Sequence, residues 1–322
     1  MGIPRGRRTR ASLVGLQVGR GRTPGLPGAA SLLLAIAAPV QAQELEPRAY
    51  SPAPVGANFL VFTHGRSRGE VLFDPSLRTS DVSSRLQVSA AAYVRTVDVF
   101  GRSGSVAFAL PFIVGNLSGN VGEGRTTVDR SGFGDARLRL AVNLSGGPAM
   151  SPAEFAAREP GLAMGASLTV VAPTGEHEAA RLINIGANRW AFKPEIGVTR
   201  DFDRWFVEGA AGVWWFTDNT AFLGSGTQEQ EPLATVQLHG GYRFGPGLWL
   251  ATSATYYAGG RTVVNGIAGD TLQENTRFGL TLSVPVDRQW SVKVAASSGV
   301  IVRAGGDFTT LTVSAQYLWF DR

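Results

Sequence analysis

The chain has 322 residues, no cysteine, 41 glycines, 17% charged residues and a formal net charge of +5. Six arginines (Arg5, Arg7, Arg8, Arg10, Arg20 and Arg22) precede residue 43 with no acid among them, so 30 basic residues less these six leaves 24 against 25 acids. The basic surplus therefore belongs to the N-terminal segment. No nucleic-acid partner is expected of the remainder, and no disulfide holds it together.

Taken in order, the arginine-rich start is followed by the apolar run Ala29–Ala38 and then Val40-Gln41-Ala42, the pattern of an export signal cleaved after Ala42. The apolar run falls short of the roughly 20 residues that a spanning helix needs. Residues 43–54 read as a short periplasmic leader, and 55–322 as one domain. Within it, period-two segments recur over 55–63, 82–97, 105–114, 132–144, 162–172, 188–200, 204–217, 232–244, 248–258, 271–286, 289–303 and 307–320. Ala136, Leu138, Leu140, Val142 and Leu144 alternate with Asp135, Arg137, Arg139 and Asn143; the last segment puts Leu311, Val313, Ala315, Tyr317 and Trp319 on one face. An even count of strands, one face apolar and ending in aromatics, predicts an all-β, antiparallel outer-membrane barrel of about 12 strands.

Gap lengths agree. Long gaps (64–81, 115–131, 173–187, 218–231, 259–270) alternate with short ones (98–104, 201–203, 245–247, 287–288), as outer loops alternate with periplasmic turns. The short outer gap 304–306 departs from this parity, and so does the main exception, 145–161, which contains Ser151-Pro152-Ala153-Glu154, a capping box that predicts a short periplasmic helix. Trp205, Trp215, Trp249, Tyr257, Trp290, Tyr317 and Trp319 lie near strand ends and are assigned to the two interfacial girdles. Phe320 falls on the opposite parity, and Asp321 and Arg322 follow it, so the insertion signal is displaced from the chain's end.

Parity places Arg85, Arg95, Arg137, Arg139, Lys193, Arg243, Arg277, Lys293 and Arg303 in the lumen with Asp135, Glu195 and Glu208. A surplus of cations there favours anionic solutes; the competing assignment is a filled barrel stiffened by ion pairs. His64 and His177 are assigned to outer loops and His239 to the lumen, where Ser253 and Thr235 are the inward hydroxyls near it, without a hydrolase motif. No catalytic residue, cofactor or metal is expected.

Several stretches carry a family likeness: Phe73-Asp-Pro-Ser-Leu77, Ser131-Gly-Phe-Gly-Asp-Ala-Arg137, Ala172-Pro-Thr-Gly175, Leu182–Glu195, Tyr256-Tyr-Ala-Gly-Gly260 and Asn275-Thr-Arg277. Together, across residues 55–320, they resemble the outer-membrane transporter-like family of the MetA (meta) pathway of phenol degradation. The resemblance implies an outer-membrane barrel of transporter type and supplies no catalytic residues. The leading expectation is a channel for passive uptake of small hydrophobic or aromatic compounds, anionic ones included, with loops 64–81, 115–131 and 173–187 gating its outer mouth. A lipid-modifying enzyme and a surface-binding barrel without an open pore are the alternatives. Expected partners are outer-membrane lipid, the periplasmic chaperones and barrel-assembly machinery, and the small-molecule solute.

Overall fold

The computed structural model describes Gly2 and residues 46–72, 79–121, 124–181 and 183–321. Apart from Gly2, the export signal expected over 1–42 lies outside the described residues. The described residues form seventeen strands: β1 (Ala57–Leu72), β2 (Thr79–Val99), β3 (Arg102–Val121), β4 (Gly124–Phe133), β5 (Ala136–Ser145), β6 (Leu162–Ala172), β7 (Ala191–Phe202), β8 (Trp205–Phe216), β9 (Asn219–Phe222), β10 (Gly226–Gln230), β11 (Leu233–Gly245), β12 (Leu248–Gly259), β13 (Thr262–Val264), β14 (Ile267–Ala268), β15 (Gln273–Pro285), β16 (Trp290–Ile301) and β17 (Gly305–Phe320). One short helix, α1 (Pro152–Ala156), interrupts them between β5 and β6.

The wall is a closed antiparallel barrel of 12 staves. β3 pairs with β5 from Gly104 to Ala109 and with β4 from Phe112 to Val121, so β4 and β5 form one bent stave hinged at Gly134-Asp135. Closure runs through β1 and β17, paired without a shift from Ala57 opposite Phe320 to Leu72 opposite Gly305. Every stave thus has a neighbour on both sides, although the β4 part of the bent stave is paired with β3 alone, and this satisfies the backbone where lipid offers no hydrogen bonds. Asp321 fastens the seam by pairing with Arg95 at 2.5 Å and accepting from Asn58 Nδ2 at 3.0 Å. Asp321, which follows the terminal aromatics, therefore ties the β17 end to β1 and β2.

Two expected outer loops are largely strand. Residues 64–72 and 79–81 extend β1 and β2, and 115–121 and 124–131 extend β3 and β4. Toward the outer edge of the apolar belt and beyond it both faces of a strand meet polar surroundings, so the ladder continues while apolar alternation disappears. His64 accordingly lies on β1, its Nδ1 3.0 Å from Ser89 Oγ. The gap 173–187 remains a loop, and 218–231 and 259–270 fold into a second small sheet in the order β14-β13-β10-β9.

At the other rim the turns are tight. β2 and β3 are joined by Phe100 and Gly101, both at positive φ (51° and 79°), the pairing a two-residue hairpin turn requires. α1 has the expected capping box: Ser151 Oγ accepts from Glu154 N at 3.3 Å, and Glu154 Oε2 accepts from Ser151 N at 2.7 Å. These hydrogen bonds hold the exposed Glu154 carboxyl below its usual range.

Candidate functional site in the barrel lumen

Residues paired directly across a ladder point to the same side of a sheet, so register decides which side chains enter the lumen. Phe108 is exposed on the outer wall and pairs with Leu138; the alternate pairs Ala109 with Arg137 and Ala107 with Arg139 therefore face inward. The same parity carries round the wall to Lys193 and Glu195 on β7, Glu208 on β8, His239 and Arg243 on β11, Arg277 on β15 and Lys293 on β16.

Three assignments are corrected by the geometry. Arg85 pairs with Arg68 and Asn116, and Arg95 with Asn58 and Val106, on the face that carries Phe62 and Phe108, so both point outward. β2 is inverted: its apolar face, with Val82 and Leu86 buried, looks inward, and hydropathy alone assigns that face to lipid. Arg303 lies beyond the end of β16 in an outer turn, paired with Asp270 at 3.2 Å and Glu274 at 3.3 Å. Asp135 sits in the β4–β5 hinge, where its carboxylate accepts from Gly175 N at 2.8 Å and Ala187 N at 2.9 Å. Two girdle assignments fall as well. Trp249 and Tyr257 share the parity of Ala251, Ser253 and Thr255 and are buried inside the lumen, whereas Trp205, Trp215, Trp290 and Tyr317 lie on the outer wall.

The middle of the lumen is occupied by the leader. From the short-turn rim, Thr96 Oγ1 donates to Pro54 O at 2.6 Å, Ser103 Oγ donates to Ala53 O at 2.8 Å, and Val55 N donates to Met150 O at 2.8 Å. Further in, Ala49 N and Tyr50 N donate to the two oxygens of Glu208, at 3.0 and 3.3 Å. Arg48 pairs with Asp201 at 3.5 Å, beside Arg243 at 3.2 Å, and lies over the Phe206 ring.

Of these leader residues Tyr50 reaches farthest from the short-turn rim. Its hydroxyl donates to Glu195 Oε1 at 2.8 Å and lies 2.9 Å from Ser167 Oγ; its ring sits under the Arg139 guanidinium. Burial, and next the Glu195 carboxylate, push the hydroxyl above its ordinary pKa, so it remains the donor. Gly165 and Gly197 face each other across β6 and β7, and a Cβ at either would stand 2.8 or 2.2 Å from the ring. The wall has a recess shaped for this side chain.

Around the leader, cations sit against rings. Lys193 Nζ pairs with Glu195 at 3.0 Å and lies 5.3 Å from the centre of the Trp214 ring, in a cluster with Val171, Ala191, Leu233 and Tyr257. Lys293 Nζ lies 6.0 Å from the Trp249 ring, which packs with Phe206 and Ala251. Arg277 Nη2 donates to Phe308 O at 2.7 Å.

The family model described as "Putative MetA-pathway of phenol degradation" matches residues 58–317. The chain belongs to this family. Its fold is similar to that of the COG4313 outer membrane channel from Pseudomonas putida F1, at 24% identity and a TM-score of 0.72, covering 86% of this chain and 100% of that one. The transport unit of the autotransporter AIDA-I from Escherichia coli is similar at 8% identity and a TM-score of 0.52, covering 92% and 98%. A search among curated proteins gives no match. The likenesses establish the outer-membrane barrel fold.

In this family member three of the stretches that carry the likeness, those around 131–137, 172–175 and 183–195, converge on one place, while 73–77 lies outside the described residues. Besides the Asp135 contacts, Thr174 Oγ1 accepts from Ala136 N at 2.9 Å, Glu176 N donates to Phe133 O at 2.9 Å, and Asn188 Nδ2 donates to Asn219 Oδ1 at 2.8 Å. Loop 173–190 is thereby sewn to the β4–β5 hinge and to the neighbouring hairpin. Arg189 emerges from it buried over Phe216 and donates to Gln230 Oε1; desolvation lowers its guanidinium to about 10. Sequence reasoning passed over Arg189 although it shares the parity of Lys193.

His239 Nδ1 does lie 2.8 Å from Ser253 Oγ. Glu208, opposite His239 in the ladder, has its oxygens committed to the leader. Ser253 lies within a strand paired on both sides, where the ladder uses the backbone N–H groups that an oxyanion site would need.

Proposed function

We propose that this protein is an outer-membrane channel for passive uptake of small hydrophobic or aromatic compounds, with anionic ones favoured. One observation carries the reading: lumen-facing cations sit against lumen-facing rings, Lys193 with Trp214, Lys293 with Trp249 and Arg139 with Tyr50. Rings offer apolar and stacking surface to an aromatic solute, while ammonium and guanidinium groups in a low-dielectric passage attract its charge. The printed name of the family, with its phenol degradation, supports the same solute class. A 12-strand lumen is narrow, and with the leader docked it is a restricted path suited to small solutes.

Charge reversal tests it. In planar bilayers under a salt gradient, the wild-type protein is expected to show a reversal potential on the anion-selective side. Arg139→Glu combined with Lys293→Glu should move it toward cation selectivity, provided the variant keeps heat-modifiable migration as a folding check. An unmoved potential in the folded variant would remove these groups from the conducting path.

A further inference from the structure

The outer wall of β1 and β2 changes character along its height. Its lower part is apolar and aromatic: Leu60, Phe62 and Tyr93 stand beside Tyr317 and Trp319, and the Tyr93 and Trp319 rings lie 6.1 Å apart. Above them, on the same outward face, Arg68 is directly opposite Arg85, and Arg66 is opposite Gln87. All three arginines are exposed. None has an ion-pair or hydrogen-bond partner among the described residues. The acids nearby on this face among the described residues are Glu70 and Asp307, which lie opposite each other one outward pair beyond Arg68, and Asp129, which holds Asn116 Nδ2 at 2.7 Å; none is bonded to the three arginines.

Like charges set directly across a ladder repel one another. A pair kept in that position with neither guanidinium bonded to a carboxylate among the described residues leaves room for an anion from outside the chain. Its height identifies the anion. Leu60 is level with Tyr317, and about eight residues separate it from Arg68; at roughly 3.3 Å each and a tilt near 40°, Arg68 stands about 20 Å higher, close to the far edge of an apolar belt about 25 Å tall. The headgroups met there in an outer membrane belong to phosphorylated glycolipid. Guanidinium forks match phosphate oxygens two at a time.

We propose that Arg66, Arg68 and Arg85 form a docking site for the phosphorylated headgroup of an outer-leaflet glycolipid. The site lies on the outside of the wall and is independent of what crosses the lumen.

Titrating the folded, purified full-length protein with bisphosphorylated lipid A in neutral detergent, and counting bound copies by native mass spectrometry, tests this. Arg68→Gln with Arg85→Gln should weaken binding about 25-fold, about fivefold for each arginine lost at a membrane surface. The same glycolipid stripped of phosphate should bind the wild-type protein equally weakly, and Arg68→Lys with Arg85→Lys, which keeps the charge and loses the fork, should bind more tightly than the glutamine variant and less tightly than the wild-type protein. Heat-modifiable migration reports whether each variant is folded. Undiminished binding by the folded glutamine variant, equal binding of the phosphate-free glycolipid, or equal competition by inorganic phosphate, which would mark a solute site, would each overturn the proposal.

Discussion

Deleting residues 46–54 is expected to raise single-channel conductance several-fold and to leave the barrel folded. Among the described residues the leader lies inside the lumen without forming part of the wall. It enters from the short-turn rim and reaches Ser167 and Glu195 near the middle of their strands. Its removal uncovers Glu208, Glu195 and Asp201, which can then be reached by water from the lumen. The cost of burying unpaired charge is thereby avoided and the wall ladders are untouched. A narrower intervention should act in the same direction. Tyr50→Ala removes a buried ring, worth about 3 kcal/mol by analogy with aromatic truncations in cores, which is a factor of about a hundred in the docked population. Flickering between a low and a high conductance level is the expected signature of that variant. Deletion without any rise in conductance would mean that the path of ions avoids the leader's side of the lumen.

Gly197→Val is expected to give the same open phenotype with the leader's sequence intact. A Cβ at Gly197 would lie 2.2 Å from the Tyr50 ring, and the backbone on either side is fixed by pairing with β6 and β8. The wall cannot retreat, so Tyr50 must leave its recess and give up its hydrogen bonds to Glu195 and Ser167. Limited proteolysis provides an independent readout: the leader should be trimmed from the variant at protease levels that spare the wild-type protein. Because valine favours strand geometry, β7 itself should be unharmed. Wild-type conductance together with wild-type protease resistance would show that the recess does not hold the leader in place.

Much of the fold is legible in the chain because lipid and lumen impose opposite chemistry on alternate residues. The stave count, the signatures of β5, β15 and β17 and the capped helix at Ser151 all follow from local pattern. β2 is where the pattern misleads. Its lumen face carries Val82, Leu86 and Val88 and its outer face Arg85 and Arg95, and only the ladders to β1 and β3 reveal the inversion. The same limit explains the extensions of β1 to β4 toward the outer edge of the apolar belt and beyond it, where period-two hydropathy is not required. The candidate site was partly readable. Parity placed Lys193, Glu195, Glu208, His239 and Arg277 on one face, while the docking of Tyr50 depends on contacts more than a hundred residues apart. A signal existed: a single tyrosine between Pro47 and Pro52, and two inward glycines, Gly165 and Gly197, in otherwise filled strands.

Uptake of a radiolabelled aromatic acid such as benzoate into liposomes containing the purified barrel tests the central claim most directly. Entry through the wild-type protein should exceed that into protein-free liposomes, and it should rise further when residues 46–54 are deleted. Entry equal to the protein-free rate in both forms, with the barrels shown to be folded in the membrane, would contradict a channel for such solutes.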